Sequence, residues 1–256
     1  MRILVIGSGA REHALAARLS TEPGVALVIC APGNAGIART IRCEPIDVLD
    51  TSAVVQLVDR ERIDLTVVGP EGPLANGLVD WFQQEGRAVF GPTRAAAQLE
   101  TSKSFAKDFM QRHGVPTARY RVCTSADEAL QSIRSGEFGD ALVVKADGLA
   151  AGKGVVVATD RAMAEQAVTA AMVDKTFGAA GARVVLEEML TGPEVSFFVV
   201  ANGEHYVPLL SAQDHKRIFD HDRGPNTGGM GAFSPSPLMT DALQARVERE
   251  IVEPVL

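Results

Sequence analysis

The stretch ALVVKADGLAAGKGVVVAT, residues 141–159, places a glycine-rich loop between two runs of valine. Gly148, Gly152 and Gly154 permit a backbone with positive φ and a close approach to a ligand, so that peptide N–H groups can surround phosphate oxygens. Because valine favours β-strands, the stretch predicts a β-hairpin whose tip lies over the phosphates of a nucleoside triphosphate.

Two lysines accompany these glycines. Lys145 interrupts a run of strand residues that has a buried pattern, and a lysine in such a run needs an anionic partner. Lys153 lies among the glycines, and both ammonium groups would neutralise phosphate charge. An ordinary glycine-rich hairpin with solvated lysines remains the alternative interpretation of these residues alone.

The loop differs from a P-loop. Gly148 and Gly152 enclose three residues where the P-loop pattern requires four, and Gly154 follows Lys153 where a hydroxyl residue should stand. A P-loop also leads into a helix, whereas the valine run that starts at Val155 continues as a strand. The sequence therefore indicates a different class of phosphate-binding loop.

Composition limits the possible partners. The chain has 256 residues, 46% of them hydrophobic, which is enough for a substantial core in about two domains. A net charge of −7 without any basic run argues against nucleic acid as the main partner and favours small molecules. No apolar run reaches ~18 residues and the start lacks a signal-peptide pattern, so we expect a cytoplasmic protein with no membrane partner. Cys30, Cys43 and Cys123 form no CxxC pair, which suits a reducing compartment.

The first part of the chain alternates predicted strands and helices. This alternation predicts an α/β fold with a doubly wound parallel sheet, which binds ligands at the carboxyl ends of its strands. The predicted strands span residues 2–6, 25–30, 64–68 and 88–90, and the predicted helices span 11–19, 51–60 and 74–84. The loops at the carboxyl edge are residues 7–12, 32–36, 69–73 and 91–93.

The first turn resembles a dinucleotide fingerprint but departs from it. Glu12 stands where GxGxxG has its third glycine, so that a carboxylate would occupy the place of a pyrophosphate. The second strand also ends at Ala31 without an acidic residue for a ribose hydroxyl. Both departures disfavour a nicotinamide-dependent oxidoreductase.

The second part of the chain has a different order of predicted elements. Gly114 to Pro116 break it after two predicted helices, and residues 119–190 then form an α+β lobe around the glycine loop. Two apolar strands at 195–200 and 206–210 follow, then a polar loop at 211–237 and a helix near Thr240. We therefore divide the chain into a domain at 1–101, a helical linker at 102–118, a small lobe at 119–190 and an incomplete lobe at 191–256.

Several stretches, in order along nearly the whole chain, resemble the glycinamide ribonucleotide synthetase family, the phosphoribosylamine-glycine ligases of the ATP-grasp superfamily. The resemblance lies in the start VIGSGAREHAL, in APGNAG at 31–36, VVGPEGPL at 67–74, FGPTRAAAQLETSKSFAKDFM at 90–110, VVKADGLAAGKGVVVA, and SAQDHKR through GPNTGGMGAFSPSP. It implies a doubly wound pre-ATP-grasp domain followed by an incomplete ATP-grasp α+β domain. Ala10 is a minor departure, since the family usually has a third glycine there.

The resemblance also implies a reaction. ATP phosphorylates the carboxylate of glycine, and the amine of 5-phosphoribosylamine then attacks the glycyl phosphate to give glycinamide ribonucleotide, ADP and phosphate. No protein nucleophile is needed, so catalysis rests on positioning and on neutralising charge.

The resemblance further implies a divalent metal, Mg²⁺ or Mn²⁺, whose family ligands lie in a strand beyond Leu256. On that comparison the chain is expected to be an amino-terminal fragment, with no metal ligands of its own, of a protein that is monomeric at full length. By itself the fragment is expected not to turn over at an appreciable rate.

The residues that the resemblance assigns to ATP lie in the second part of the chain. Lys103 and Lys145 match the two ATP-grasp lysines, and the loop would close over the phosphates. Glu187 to Leu190 match the segment that contacts the adenine ring, and Glu194 matches the carboxylate that binds the ribose hydroxyls. Without the resemblance, Glu187 and Glu188 could also form a solvated strand end. The cofactor-binding set is Lys103, Lys145, Gly148, Gly152, Lys153, Gly154, Glu187, Glu188, Leu190 and Glu194.

A second set concerns phosphoribosylamine and the chemical step. The substrate-binding set is Gly9, Arg11, Glu12, Asn34, Gly36, Glu71, Asp214, Asn226, Thr227 and Gly228. The catalytic set is Lys145, Asp214, Lys216 and Arg217, in which one carboxylate and two cations stand beside glycines that can present N–H groups. The alternatives are another ATP-grasp ligase, such as a carboxylating enzyme, and a nucleotide-binding module without turnover.

Overall fold

The computed structural model describes residues 1–150, 153–220 and 223–256, apart from the side chains of residues 225, 226 and 228. The chain divides into two compact units, Met1–Lys103 and Ser104–Leu256, which we describe separately. Across these described ranges no helix has both the length and the apolar character needed to cross a membrane.

The first unit is built on a five-stranded sheet in the order β3-β2-β1-β4-β5 with parallel pairing throughout. Its strands are β1 (Arg2–Gly7), β2 (Leu27–Pro32), β3 (Arg42–Cys43), β4 (Leu65–Val68) and β5 (Val89–Phe90). Its helices are α1 (Ala10–Ser20), α2 (Thr51–Glu61), α3 (Glu71–Ala75), α4 (Leu78–Gln84) and α5 (Arg94–Thr101). The predicted doubly wound parallel sheet is confirmed.

Helices cover both faces of this sheet. Leu4 and Ile6 of β1 pack in one buried cluster with Leu57 of α2 and Phe82 of α4. Ile3 and Val5 point to the opposite face, into a cluster that includes residues of α1. Successive side chains of a strand alternate between faces, so a strand buried on both sides is continuously apolar, as β1 is.

Two details of this unit differ from the sequence predictions. The helix predicted over residues 74–84 is two helices, because Gly77 adopts a left-handed conformation with φ of 84° between α3 and α4. The short strand β3 lies in a stretch for which no element was predicted. Two residues are too few to show a periodic pattern.

The second unit contains a four-stranded antiparallel sheet in the order β6-β9-β7-β8. Its strands are β6 (Tyr120–Cys123), β7 (Leu142–Ala146), β8 (Val155–Ala158) and β9 (Val184–Glu188). The predicted valine hairpin is confirmed, since β7 and β8 pair antiparallel with Lys145 opposite Val155. The helices of this part are α6 (Lys103–Arg112), α7 (Ala126–Ser135) and α8 (Arg161–Val168), which continues as a π-helical turn over Thr169–Val173.

The prediction of a polar loop over residues 211–237 is wrong. The segment contains a two-stranded antiparallel ribbon of β12 (Gln213–Phe219) and β13 (Arg223–Phe233), after a smaller pair, β10 (Val199–Ala201) and β11 (Tyr206–Pro208). The described side chains of the ribbon are largely exposed, so the strands lack the alternation of apolar and polar residues that reveals a half-buried strand. The chain closes with the helices α9 (Asp241–Val247) and α10 (Glu253–Val255), joined by a π-helical turn.

Candidate functional site

The glycine loop connects β7 to β8, and its base is closed by the backbone. The N–H of Ala146 donates to the carbonyl of Gly154 at 2.7 Å, and the N–H of Lys153 donates to the carbonyl of Ala150 at 2.9 Å. The predicted contact at Gly152 lies outside the described residues.

The glycines that flank this loop serve a different purpose from the one expected. Neither Gly148 nor Gly154 has a left-handed backbone, so positive φ does not explain them. A side chain at Gly148 would press against Ala180, and one at Gly154 would collide with Ala150. The two glycines therefore let the chain segments at the base of the loop approach closely.

Asp147 fixes the start of the loop. Its carboxylate accepts hydrogen bonds from the N–H of Ser104 at 2.7 Å and from the hydroxyl of Ser104 at 2.9 Å. The same carboxylate pairs with the guanidinium of Arg183 at 2.6 Å. Ser104 belongs to the first turn of α6, whose first residue is Lys103. Asp147 thus holds the first turn of a helix whose dipole favours a negative charge at that end.

Lys145, Glu187 and Lys107 form a buried cluster of charges. Glu187 Oε1 lies 2.9 Å from Lys145 Nζ, and Glu187 Oε2 lies 2.9 Å from Lys107 Nζ. Oε1 accepts no hydrogen bond of good geometry from any described residue, so its contact with Lys145 is that of an ion pair. Glu187 supplies the anionic partner that the strand position of Lys145 required, and its burial rules out a solvated strand end.

Lys107 was missed by the sequence prediction. It lies one turn after Lys103 on α6, and its side chain is 8% exposed. Its position on the face of Ser104, three residues earlier, was the available signal, since an amphipathic helix buries one stripe. A lysine on a short, mostly polar helix is ordinarily solvated, which is why the pattern alone did not single it out.

Glu188 and Leu190, which follow Glu187, have different environments. Glu188 accepts hydrogen bonds from the N–H and from the guanidinium of Arg119, at 2.8 and 2.7 Å, and these bonds hold the pKa of Glu188 below its usual value. Leu190 is exposed. Glu188 therefore has a structural partner, whereas Leu190 presents an apolar side chain to solvent.

The β12–β13 ribbon brings Glu194 and two residues of the predicted catalytic set together. Lys216 Nζ lies 3.4 Å from Glu194 and 3.6 Å from Asp214. Although partial burial lowers it, attraction to Glu194 and Asp214 raises the pKa of Lys216 above its usual value. Thr227 donates its hydroxyl to the carbonyl of Lys216 at 2.8 Å. The ribbon therefore carries a cation between two carboxylates.

For the other predicted residues of the ribbon the structure gives less. Arg217 lies opposite Asn226 in the strand register. The side chain of Asn226, and Gly228, fall outside what the structure describes.

The carboxyl edge of the first sheet brings the predicted sugar-phosphate residues together. Arg11 Nε donates to Glu12 Oε1 at 2.8 Å, and a second nitrogen of Arg11 lies 3.6 Å from Glu71 Oε1. The hydrogen bond to Glu12 is the main reason that the pKa of Arg11 is raised. Arg11 follows β1 and Glu71 follows β4, the two neighbouring strands at which the strand order reverses, where folds of this kind bind ligands.

Glu12 itself is buried within this edge. Its Oε2 accepts the N–H of Gly9 at 2.7 Å, and side chains at Gly7 or Gly69 would collide with it. The carboxylate therefore fills the turn in which a dinucleotide fold holds pyrophosphate, which agrees with the departure seen in the sequence.

Asn34 organises the neighbouring loop. Its side-chain amide donates to the carbonyl of Ser8 at 2.7 Å, and its Oδ1 accepts the N–H groups of Gly36 and Ile37 at 2.7 and 2.9 Å. Asn34 thus links the loop after β2 to the loop after β1.

Within residues 1–150, 153–220 and 223–256, no three His, Cys, Asp or Glu side chains are grouped so that they could hold a metal ion. The described residues therefore do not fit a Mg²⁺ or Mn²⁺ centre by themselves. At Lys145 and the loop base, in contrast, two cations face a single carboxylate, which leaves one positive charge in excess.

Comparisons with known proteins agree over the whole chain. The family model described as "Phosphoribosylglycinamide synthetase, N domain" matches residues 1–100, and that described as "Phosphoribosylglycinamide synthetase, ATP-grasp (A) domain" matches residues 101–256. The chain is 53% identical to the phosphoribosylamine-glycine ligase of Xylella fastidiosa over 258 residues, covering 100% of this chain and 60% of that protein. It is 50% identical to the ligase of that name from Escherichia coli O157:H7, with 100% and 60% covered.

Solved structures give the same picture. The crystal structure of phosphoribosylamine-glycine ligase from Thermotoga maritima superposes with a TM-score of 0.82 at 32% identity, covering 100% of this chain and 60% of that one. Biotin carboxylase from Campylobacter jejuni superposes with a TM-score of 0.76 at 19% identity, covering 99% and 58%, which is a likeness of fold alone. The chain spans about 60% of the length of the ligases that it matches.

Proposed function

Because the chain belongs to the phosphoribosylglycinamide synthetase family, we propose that it carries the nucleotide-binding and sugar-phosphate-binding parts of a cytoplasmic ATP-dependent ligase. The ligase joins glycine to 5-phosphoribosylamine in purine biosynthesis. The observation that carries the proposal is the cluster of Lys145, Glu187 and Lys107 at the base of the glycine loop, since it leaves a positive charge beside the loop that the sequence resemblance assigns to ATP phosphate.

The reaction proceeds in two displacements. The carboxylate of glycine attacks the γ-phosphorus of ATP, giving glycyl phosphate and ADP. The amine of phosphoribosylamine then attacks the carbonyl carbon of glycyl phosphate. Phosphate leaves, the amine loses a proton, and the new C–N bond is the amide bond of glycinamide ribonucleotide. Because both nucleophiles come from substrates, the protein supplies position and charge.

On the nucleotide side, Lys145 contacts phosphate, and Lys103 and Lys153 add positive charge. The loop that starts at Gly148 covers the phosphates and excludes water, which would otherwise hydrolyse the acyl phosphate. Lys216 lies between the carboxylates of Glu194 and Asp214. We expect its ammonium to leave one of these carboxylates and to bind an oxygen atom of the substrate instead.

On the sugar side, Arg11 binds the phosphate of phosphoribosylamine and Glu71 binds a sugar hydroxyl. Arg11 is held in place by its hydrogen bond to the buried Glu12, so its guanidinium meets the ligand in a fixed orientation. Gly9 and Gly36 belong to the loops that Glu12 and Asn34 hold through their N–H groups.

Mg²⁺ or Mn²⁺ neutralises phosphate charge in phosphoryl transfer of this kind. The described residues form no group of three or more His, Cys, Asp or Glu side chains that could hold such an ion, so no step is assigned to a metal of this chain.

The test is substrate-dependent ADP release. The gene product that contains Met1–Leu256 is incubated with ATP, glycine and phosphoribosylamine, and each substrate is omitted in turn. We expect ADP release to require all three. Release that needs bicarbonate in place of glycine would identify a carboxylating ATP-grasp ligase, and ATP binding without any release would identify a nucleotide-binding module.

A further inference from the structure

Lys107 is the buried cation of the charge cluster, and it has no free donor to offer to a ligand. Its ammonium lies 2.9 Å from Glu187 Oε2, donates to Thr117 Oγ1 at 2.8 Å and reaches the carbonyl of Ala118 at 3.4 Å. An ammonium has three donors, and these contacts engage all of them. It also lies 5.7 Å from the centre of the Tyr120 ring. Lys107 is therefore fixed in the protein interior.

Glu187 is equally fixed. It lies on the central strand β9, paired with Tyr120 on one side and Val143 on the other. Its side chain is 5% exposed, so the carboxylate cannot turn towards solvent. Its charge has to be compensated by the groups around it, because an unpaired buried carboxylate is strongly unfavourable.

The charges of the cluster do not balance. Two ammonium groups share one carboxylate, which leaves one positive charge in excess. The excess is presented on one side only, since the side chain of Lys145 is 28% exposed whereas that of Lys107 is 8% exposed. An anion that approaches the base of the loop therefore meets Lys145.

We propose that Lys107 is a positioning residue that compensates Glu187 and so leaves the ammonium of Lys145 available to nucleotide phosphate. Without Lys107, Lys145 would be the only cation of the cluster facing Glu187, and the pair would be neutral. Lys145, which already contacts Glu187 Oε1, would then be the sole compensation of that carboxylate, and the site would lose its net positive charge and its attraction for phosphate. The inference rests on the proposed nucleotide site and adds to it a residue that does not touch the ligand.

The test compares ATP with adenosine, which lacks phosphates, in calorimetric titrations of the full chain. In K107M we expect ATP affinity to fall by about tenfold or more, while adenosine affinity stays within about threefold. R112M is the matched control, because Arg112 lies exposed on the same helix and its loss also removes one positive charge. R112M should bind both ligands as the wild type does.

A conservative variant separates this role from a merely structural one. K107R keeps a positive charge beside Glu187 Oε2, so the carboxylate stays compensated and the cluster keeps its excess positive charge. We expect its ATP affinity to stay within about threefold of the wild type. A K107M variant that binds ATP like the wild type would overturn the inference. So would an equal loss of ATP and adenosine binding in K107M that K107R also shows.

The proposed function fails in a different way. If the wild-type chain binds neither ligand, the nucleotide site itself is wrong and the inference falls with it. If the wild type binds ATP and K107M does so equally, only the role of Lys107 is wrong.

Discussion

Asp147 and Ser104 join the base of the glycine loop to the first turn of α6 through two hydrogen bonds of 2.7 and 2.9 Å. Asp147 directly follows β7, which carries Lys145, and Ser104 directly follows Lys103. The link therefore connects the segments on which both predicted phosphate lysines are found. Its carboxylate is buried, so the two bonds are protected from competition by water.

Replacing Asp147 with Asn should destabilise this unit. The amide keeps the size of the side chain but loses the charge that strengthens the bonds from Ser104 and the pair with Arg183, so the free energy of unfolding should fall by about 2 kcal/mol. Urea unfolding measures the loss. D140N is the control, because Asp140 pairs with Arg161 at an exposed position and should cost less than about 1 kcal/mol. Equal losses in the two variants would show that the buried Asp147 contributes no more to the free energy of unfolding than an exposed ion pair does.

Two buried thiols make the protein sensitive to alkali. Burial raises the pKa of Cys30 and of Cys123 from 9.0 to about 11. The unfolded thiols ionise first, so the stability from keeping them neutral is complete below pH 9 and is lost as the pH rises towards 11.

Urea unfolding of the wild type and C123A as a function of pH tests this prediction. Above pH 9 the free energy of unfolding of the wild type should fall more steeply, by up to about 1.4 kcal/mol per pH unit, than that of C123A. Below that pH the two curves should run parallel. Parallel curves throughout would contradict the raised pKa of Cys123.

Arg11 should govern sugar-phosphate binding without affecting ATP. The R11M variant loses the guanidinium at the carboxyl edge of the first sheet, so its affinity for ribose 5-phosphate should fall by about tenfold or more, the effect of one charge-assisted contact. R18M is the matched control, since Arg18 is an exposed arginine on the same helix. Calorimetry gives the affinity of each variant for ribose 5-phosphate and for ATP. An equal loss in R18M would mean that only the general charge of α1 matters.

The sequence patterns predicted those parts of the fold that bury apolar residues regularly. The apolar run of β1 and the valines on both sides of the glycine loop each identified a strand correctly, because burial imposes a period on the sequence. The β12–β13 ribbon has mostly exposed side chains, and its backbone hydrogen bonds leave no such period. Gly77 divided a predicted helix because a left-handed backbone interrupts an otherwise continuous helical pattern.

The site shows the same limit. Lys145 was recognised because a charged residue within an apolar strand is conspicuous. Lys107 and Glu187 gave no comparable signal, since a lysine on a helix and an acidic pair at a strand end are both ordinary surface features. Only the packing of α6 against β9 in three dimensions shows that they compensate each other.

The central claim is that Lys145 and the glycine loop bind the phosphates of ATP, and the K145A variant tests it most directly. Calorimetric titration of the chain with ATP should show that K145A has lost about 1.5 to 3 kcal/mol of binding free energy, the range for a charge-assisted contact. Glu187 remains paired with Lys107 in this variant, so the core should stay folded. K175A is the control, because Lys175 is an exposed lysine outside the predicted site residues, and it should bind ATP like the wild type. ATP affinity in K145A equal to that of K175A would contradict the account and would remove this loop from the nucleotide site.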